Sequence, residues 1–113
     1  MDPSGLFNDV SQPLLALPGV AHGTMMGFPC LRTDGAFFAS CDPRSGDLIV
    51  KLPAARVAMM VESGSGKPFA PSGGAFREWV GIDDRNEERW TCLLHQALTF
   101  VRNGEVRDTG RAG

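Results

Sequence analysis

The chain has 113 residues, 42% of them hydrophobic and 21% charged, with 11 basic and 13 acidic side chains for a formal net charge of −2. This composition excludes disorder as a starting assumption and suits a single domain, which at this length buries roughly two-thirds of its extended-chain surface on folding. It runs against a protein that holds nucleic acid mainly through phosphates, which needs a basic excess.

No apolar run approaches the roughly 20 residues of a membrane span. The start, Met1-Asp2-Pro3-Ser4-Gly5, has neither the basic nor the apolar region of an export signal. A cytoplasmic protein with reduced thiols is therefore expected. Cys30, Cys41 and Cys92 form no Cys-x-x-Cys pair and read as small buried hydrophobes, not redox or zinc ligands.

In chain order, Leu6, Phe7, Val10, Leu14 and Leu17 recur at helical spacing over residues 4–17. Pro13 lacks an N–H and clashes with the preceding turn, which predicts a kink or two short pieces. Pro18-Gly19 ends the segment. Residues 24–33 and 35–42 read as a β-hairpin about Asp34-Gly35, because a type I′ turn needs positive φ at both central positions. With Thr33 opposite Ala36 and strict alternation, one face carries Phe28, Cys30, Phe37, Ala39 and Cys41. The other carries Leu31 and Phe38.

Asp42 to Asp47 is a turn by composition. Residues 48–52 are a third strand, with Leu48, Val50 and Leu52 alternating against Ile49 and Lys51. Pro53 suits the first position of a helix that carries Ala54, Val57, Ala58 and Val61, with Gly64 as its stop. Residues 63–75 form a Gly-, Ser- and Pro-rich loop anchored by Phe69. Residues 76–82 are a fourth strand, Val80 and Ile82 on one face, Arg77 and Trp79 on the other. Asp84 and Glu87 match a capping box. A helical stripe of Trp90, Leu93, Leu94, Ala97, Leu98 and Val101 follows, closed by Asn103-Gly104, with residues 104–113 as a frayed polar tail. The whole is a single α+β domain: an antiparallel sheet of four to five strands with flanking helices, in the order α-β-β-β-α-β-α.

The order Met25-Met26-Gly27, Asp34-Gly35 with Phe37-Phe38-Ala39, Leu48-Ile49-Val50-Lys51-Leu52, Gly66-Lys67-Pro68-Phe69 and Phe76-Arg77-Glu78-Trp79-Val80 resembles the N-terminal domain of the TfoX/Sxy family of competence regulators. The resemblance covers roughly residues 14–102. It implies an α+β sheet with flanking helices, a part in regulating natural competence through transcription-factor partners, and no catalytic residues to carry over. The family's Met-Phe-Gly-Gly signature reads Met25-Met26-Gly27-Phe28 here. Longer members carry a helical domain after this one, and the present sequence ends at Gly113 ahead of it.

No cofactor, metal or catalytic constellation is expected. Gly64-Ser65-Gly66-Lys67 lacks the Gly six positions before the Lys and the Ser or Thr after it that a phosphate loop requires; Val61 and Pro68 stand there. His95 lies three residues beyond Cys92, but two ligands fall short of a zinc site. Asp83-Asp84 suits helix capping. The sharper signal is a second sheet face. If helices cover Phe28, Phe37, Val50 and Val80, then Leu31, Phe38, Ile49 and Trp79 remain opposite, with Lys51 and Arg77 among them. An apolar patch with a cationic rim is a candidate partner surface, the alternative being that the 63–75 loop folds over this face. Its simplest use is a homodimer, and a protein partner in transcription regulation is the wider expectation. Direct nucleic-acid binding, with Trp79 stacking on a base, is disfavoured by the acidic balance. The alternative class is a small-molecule or anion binder with a cleft between the 63–75 loop and the sheet, where Lys67 and Arg77 grip the ligand.

Overall fold

A computed structural model describes residues 5–25, 27–69 and 76–112. The elements run α1 (Gly5–Leu15), β1 (Val20–Met25), β2 (Phe28–Thr33), β3 (Ala36–Cys41), β4 (Leu48–Lys51), α2 (Ala54–Ser63), β5 (Lys67–Pro68), β6 (Trp79–Ile82) and α3 (Glu87–Ala112). The six strands form one sheet in the order β1-β2-β3-β4-β6-β5, each neighbouring pair antiparallel. The architecture is α+β, as expected, with β1 and β5 added at the two edges.

Local chemistry accounts for most element ends. Asp34 and Gly35 take φ of 51° and 89°, the double positive pair of a type I′ turn, and hold Thr33 opposite Ala36. α2 stops at Gly64, left-handed at φ 81°, whose N–H reaches the carbonyls of Met60 and Val61. Pro53 sits just outside α2 as its cap residue, at ψ 142°, instead of inside as its first residue.

Three further differences from expectation concern α1 and α3. α1 is one helix through Pro13; so close to the end, the proline removes a single ladder bond. α3 is capped by Asn86, whose Oδ1 accepts the Arg89 N–H at 3.0 Å, while Asp84 Oδ1 accepts the Asn86 N–H at 3.0 Å. The capping box is therefore displaced by the Asx turn that precedes it. α3 also continues past Asn103-Gly104 to Ala112, since a Gly inside a helix costs only about 1 kcal/mol relative to Ala.

One core joins the layers. α1 contributes Phe7, Val10 and Leu14; α2 contributes Val57 and Met60; α3 contributes Trp90, Leu93, Leu94, Ala97, Leu98 and Val101. The sheet meets them with Leu31, Phe38, Ala39, Cys41, Leu48, Val50, Val80 and Ile82. Arg102, past the middle of α3, ties that helix to β2 and to the link between α1 and β1, donating from Nε to Thr33 Oγ1 at 3.1 Å and from its terminal nitrogen to the Pro18 carbonyl at 2.5 Å.

The core membership of Leu31 and Phe38 corrects the expected face assignment. Arg32 pairs with Phe37, but Leu31 pairs with Ala39, so Phe38 is an extra residue in β3. Such a β-bulge lets adjacent residues of one strand share a face. Phe38 and Ala39 both enter the core, and beyond the bulge every β2 side chain exchanges faces with respect to β4. Leu31 therefore lies with Val50 and Val80 beneath the helices, and Cys30 lies on the opposite face with Phe37. The Phe38→Ala variant is expected to lose about 3–5 kcal/mol of stability in urea unfolding. A loss below about 1 kcal/mol would return Phe38 to the outer face.

Candidate interaction surface

The face away from the helices is organised by the pairs that regular alternation places there. Lys51 faces Trp79 and Ile49 faces Gly81 across β4 and β6. Of the six residues expected on this surface, Leu31 and Phe38 are in the core. Ile49 is on the outer face but only 2% exposed, so it is no contact residue. Lys51 and Trp79 are half-buried, and Arg77 is exposed. Arg77 is also not in a strand. The Trp79 N–H reaches the Phe76 carbonyl at 3.2 Å, a turn that delays β6 until Trp79.

An aromatic row runs along this end of the sheet. Phe69 packs on Trp79 with centroids 6.4 Å apart and on Phe76 at 5.8 Å. Phe69 is buried, as its anchoring role requires, whereas Phe76 is 48% exposed. The Phe76 N–H donates to the Phe69 carbonyl at 3.0 Å and joins the two arms of the loop; residues 70–75 lie outside the described residues. The Lys51 ammonium stands 6.0 Å from the Trp79 ring centroid and 3.9 Å from Glu78.

Two clefts meet at Phe76 and Arg77. One, of about 470 Å³, is bounded by Lys51, Ala54, Glu78 and Trp79. The other, of about 560 Å³, is bounded by Val57, Ala58, Val61 and Pro68. The second exists because α2 buries only Val57 and Met60 fully. Ala54 and Ala58 face solvent, although their spacing alone reads as core. Neither they nor Phe76 belonged to the expected surface. The sequence offered no signal for them, because Ala54 and Ala58 share the helical spacing of Val57 and Val61.

The remaining expectations fall into structural roles. Lys67 binds Asp47 at 2.9 Å and lies 3.9 Å from Asp83, at the opposite end of β6 from Arg77. The hydrogen bond to Asp47 holds its ammonium above the usual lysine range, with the Coulombic pull of Asp47 and Asp83 adding to it. On the lysine side, the contribution of this bridge is present at neutral pH and is lost as pH rises through that raised value. Its exposure keeps its worth small. Gly66 lets the loop press on β6, since a Cβ there would stand 2.5 Å from Val80 Cγ2. That is a packing role, not a phosphate cradle. Asp84 pairs with Arg89, and its carbonyl accepts the Trp90 indole N–H at 3.0 Å. No group of three His, Cys, Asp or Glu side chains that could hold a metal occurs among the described residues. No described helix is long and apolar enough to cross a membrane.

Comparison with protein-family models, with curated proteins and with solved structures returns no match.

The three thiols should separate by reactivity. Cys30 and Cys41 are buried and Cys92 is exposed. Burial pushes the Cys30 thiol up, against a partial opposing pull from Arg32. In a timed reaction with a thiol-specific chromogenic reagent at pH 8, one equivalent, at Cys92, is expected to react promptly and the other two only in denaturant. Rapid labelling of Cys30 would contradict its burial.

Proposed function

We propose that this chain is a non-enzymatic protein-interaction module of the TfoX N-terminal type, with a regulatory role, and that it engages an acidic partner segment through the surface around Phe76. The single observation that carries this reading is the half-exposed Phe76 ring set between two clefts, with Lys51 and Arg77 on the rim. Aromatic and Arg side chains are the types enriched where binding energy concentrates. A cationic rim steers an acidic partner and orients it. Among the described residues Arg77 forms no ion pair, and Lys51 forms one, with Glu78 at 3.9 Å. The motif order shared with TfoX/Sxy domains agrees with an interaction role in gene regulation.

The test uses the protein's own tryptophans. Trp90 is fully buried and Trp79 is half-buried, so a ligand-induced blue shift reports Trp79. Titration with acidic peptides that carry a Leu or Phe anchor is expected to shift the emission, with salt weakening the effect. The Phe76→Ala variant should bind roughly 10- to 30-fold more weakly, and Arg77→Glu should lose the preference for acidic peptides. If no peptide shifts the emission while a nucleotide or inorganic anion does, the reading passes to the small-molecule class. A cleft of about 470 Å³ is large enough for such a ligand.

A further inference from the structure

The two edges of the sheet are treated differently. β5 has two residues, Lys67 and Pro68. A short edge bearing a lysine and a proline is how proteins stop a sheet from adding strands. β1 has six residues, Val-Ala-His-Gly-Thr-Met, with no Lys, Glu, Asp or Pro. Its pairing with β2 is regular along its whole length, and no described residue pairs with its other side.

The groups along that bare edge follow from alternation. The Asp34 N–H bonds the Gly19 carbonyl at 2.9 Å, so the backbone groups of Gly19, Ala21 and Gly23 point at β2 and those of Val20, His22 and Thr24 point away. The Val20 N–H is taken by the Leu17 carbonyl at 3.3 Å. The N–H and C=O of both His22 and Thr24 remain directed outward, and Ala21, His22 and Thr24 are exposed.

We propose that β1 is a self-association edge: a second copy of this chain adds its own β1 antiparallel about a two-fold axis at His22. In that register His22 meets His22 of the second copy and Val20 meets Thr24, all between outward-pointing residues. An antiparallel edge centred on an outward residue is complementary to itself, so the same groups serve as both halves of the contact. No repulsion between permanently charged groups opposes it, because β1 carries no Lys, Arg, Asp or Glu. The outer face supplies an apolar contact as well. Phe37 Cε1 lies 3.2 Å from where a Gly23 Cβ would stand, so the half-buried ring reaches over β1. Ala21 of the second copy, opposite Gly23, would meet it.

Light scattering after size exclusion tests this on four proteins. The wild type should run at twice the 12.1 kDa chain mass. His22→Pro deletes one outward N–H per copy without touching the β1–β2 ladder, and should weaken association by on the order of tenfold or more, with thermal unfolding checking that the monomer is folded. Thr24→Lys places a charge on the edge and should act likewise if the proline variant does not fold. Trp79→Ala should leave the dimer intact, because the Phe76 surface is elsewhere on the sheet. A monomeric wild type, a dimer unchanged by both edge variants, or a dimer lost in Trp79→Ala would each overturn the proposal. The peptide result of the preceding section bears on none of these outcomes.

Discussion

The extra residue that β3 carries opposite Leu31 and Arg32 governs which side chains the helices receive. β3 is apolar at both parities, with Phe37, Ala39 and Cys41 on one set and Ala36 and Phe38 on the other. A regular strand would divide these between two faces and leave a large ring on each. The bulge instead sends Phe38 and Ala39 together into the core, where Phe38 is fully buried, and gives the outer face Phe37 alone. Because β1 pairs with β2 in register, the same shift decides that the Cys30 side of the hairpin faces outward. Ser40 secures the irregular stretch: its hydroxyl donates to the Pro29 carbonyl at 3.0 Å, and Pro29 itself has no N–H to give β3.

The opposite end of the sheet is held by charge and by close approach. Asp47, Lys67, Asp83 and Arg85 gather where β4 and β5 begin and β6 ends, and Arg85 also donates to the Ser45 carbonyl at 2.7 Å. Arg89 donates to the Ser65 carbonyl at 2.5 Å, so α3 holds the loop that Gly66 lets settle on Val80. Exposed pairs of this kind add little stability singly, but they fix where β5 lies. A β5 fixed at two residues leaves Phe69 free to turn onto Trp79, and that contact sets Phe76 at the rim.

What was legible in the sequence follows from how local each determinant is. The Asp34-Gly35 turn, the end of α2 at Gly64 and the stripe of α3 depend on residues a few positions apart, and all three stand as read. The outer placement of Lys51 and Trp79 was legible because β4 and β6 alternate regularly. Leu31 and Phe38 were misplaced because a bulge is a property of a strand pair, and neither β2 nor β3 encodes it alone. β1 carries His22 and Gly23 in place of an alternating apolar pattern, and β5 is too short to have any pattern. Phe76 was assigned to a strand because its apolar neighbours fit one; only the turn through Arg77 and Glu78 shows that the ring projects.

Extending the sheet through β1 has a consequence for how the Phe76 surface is displayed. A two-fold axis normal to the sheet keeps the outer faces of both copies on one side where they join. β6 stands four strands from β1, so the two copies of Trp79 are about nine strand spacings apart, on the order of 43 Å. Neighbouring strands rotate by roughly 20–25° each, always in the same sense. Over nine spacings the face turns through roughly 180–225°, and the two surfaces end up pointing away from each other. A single partner with two closely linked motifs cannot then reach both, so short-linker avidity is unavailable. The proposed dimer would be suited instead to bringing two separate partner molecules together, one on each side of a continuous twisted sheet.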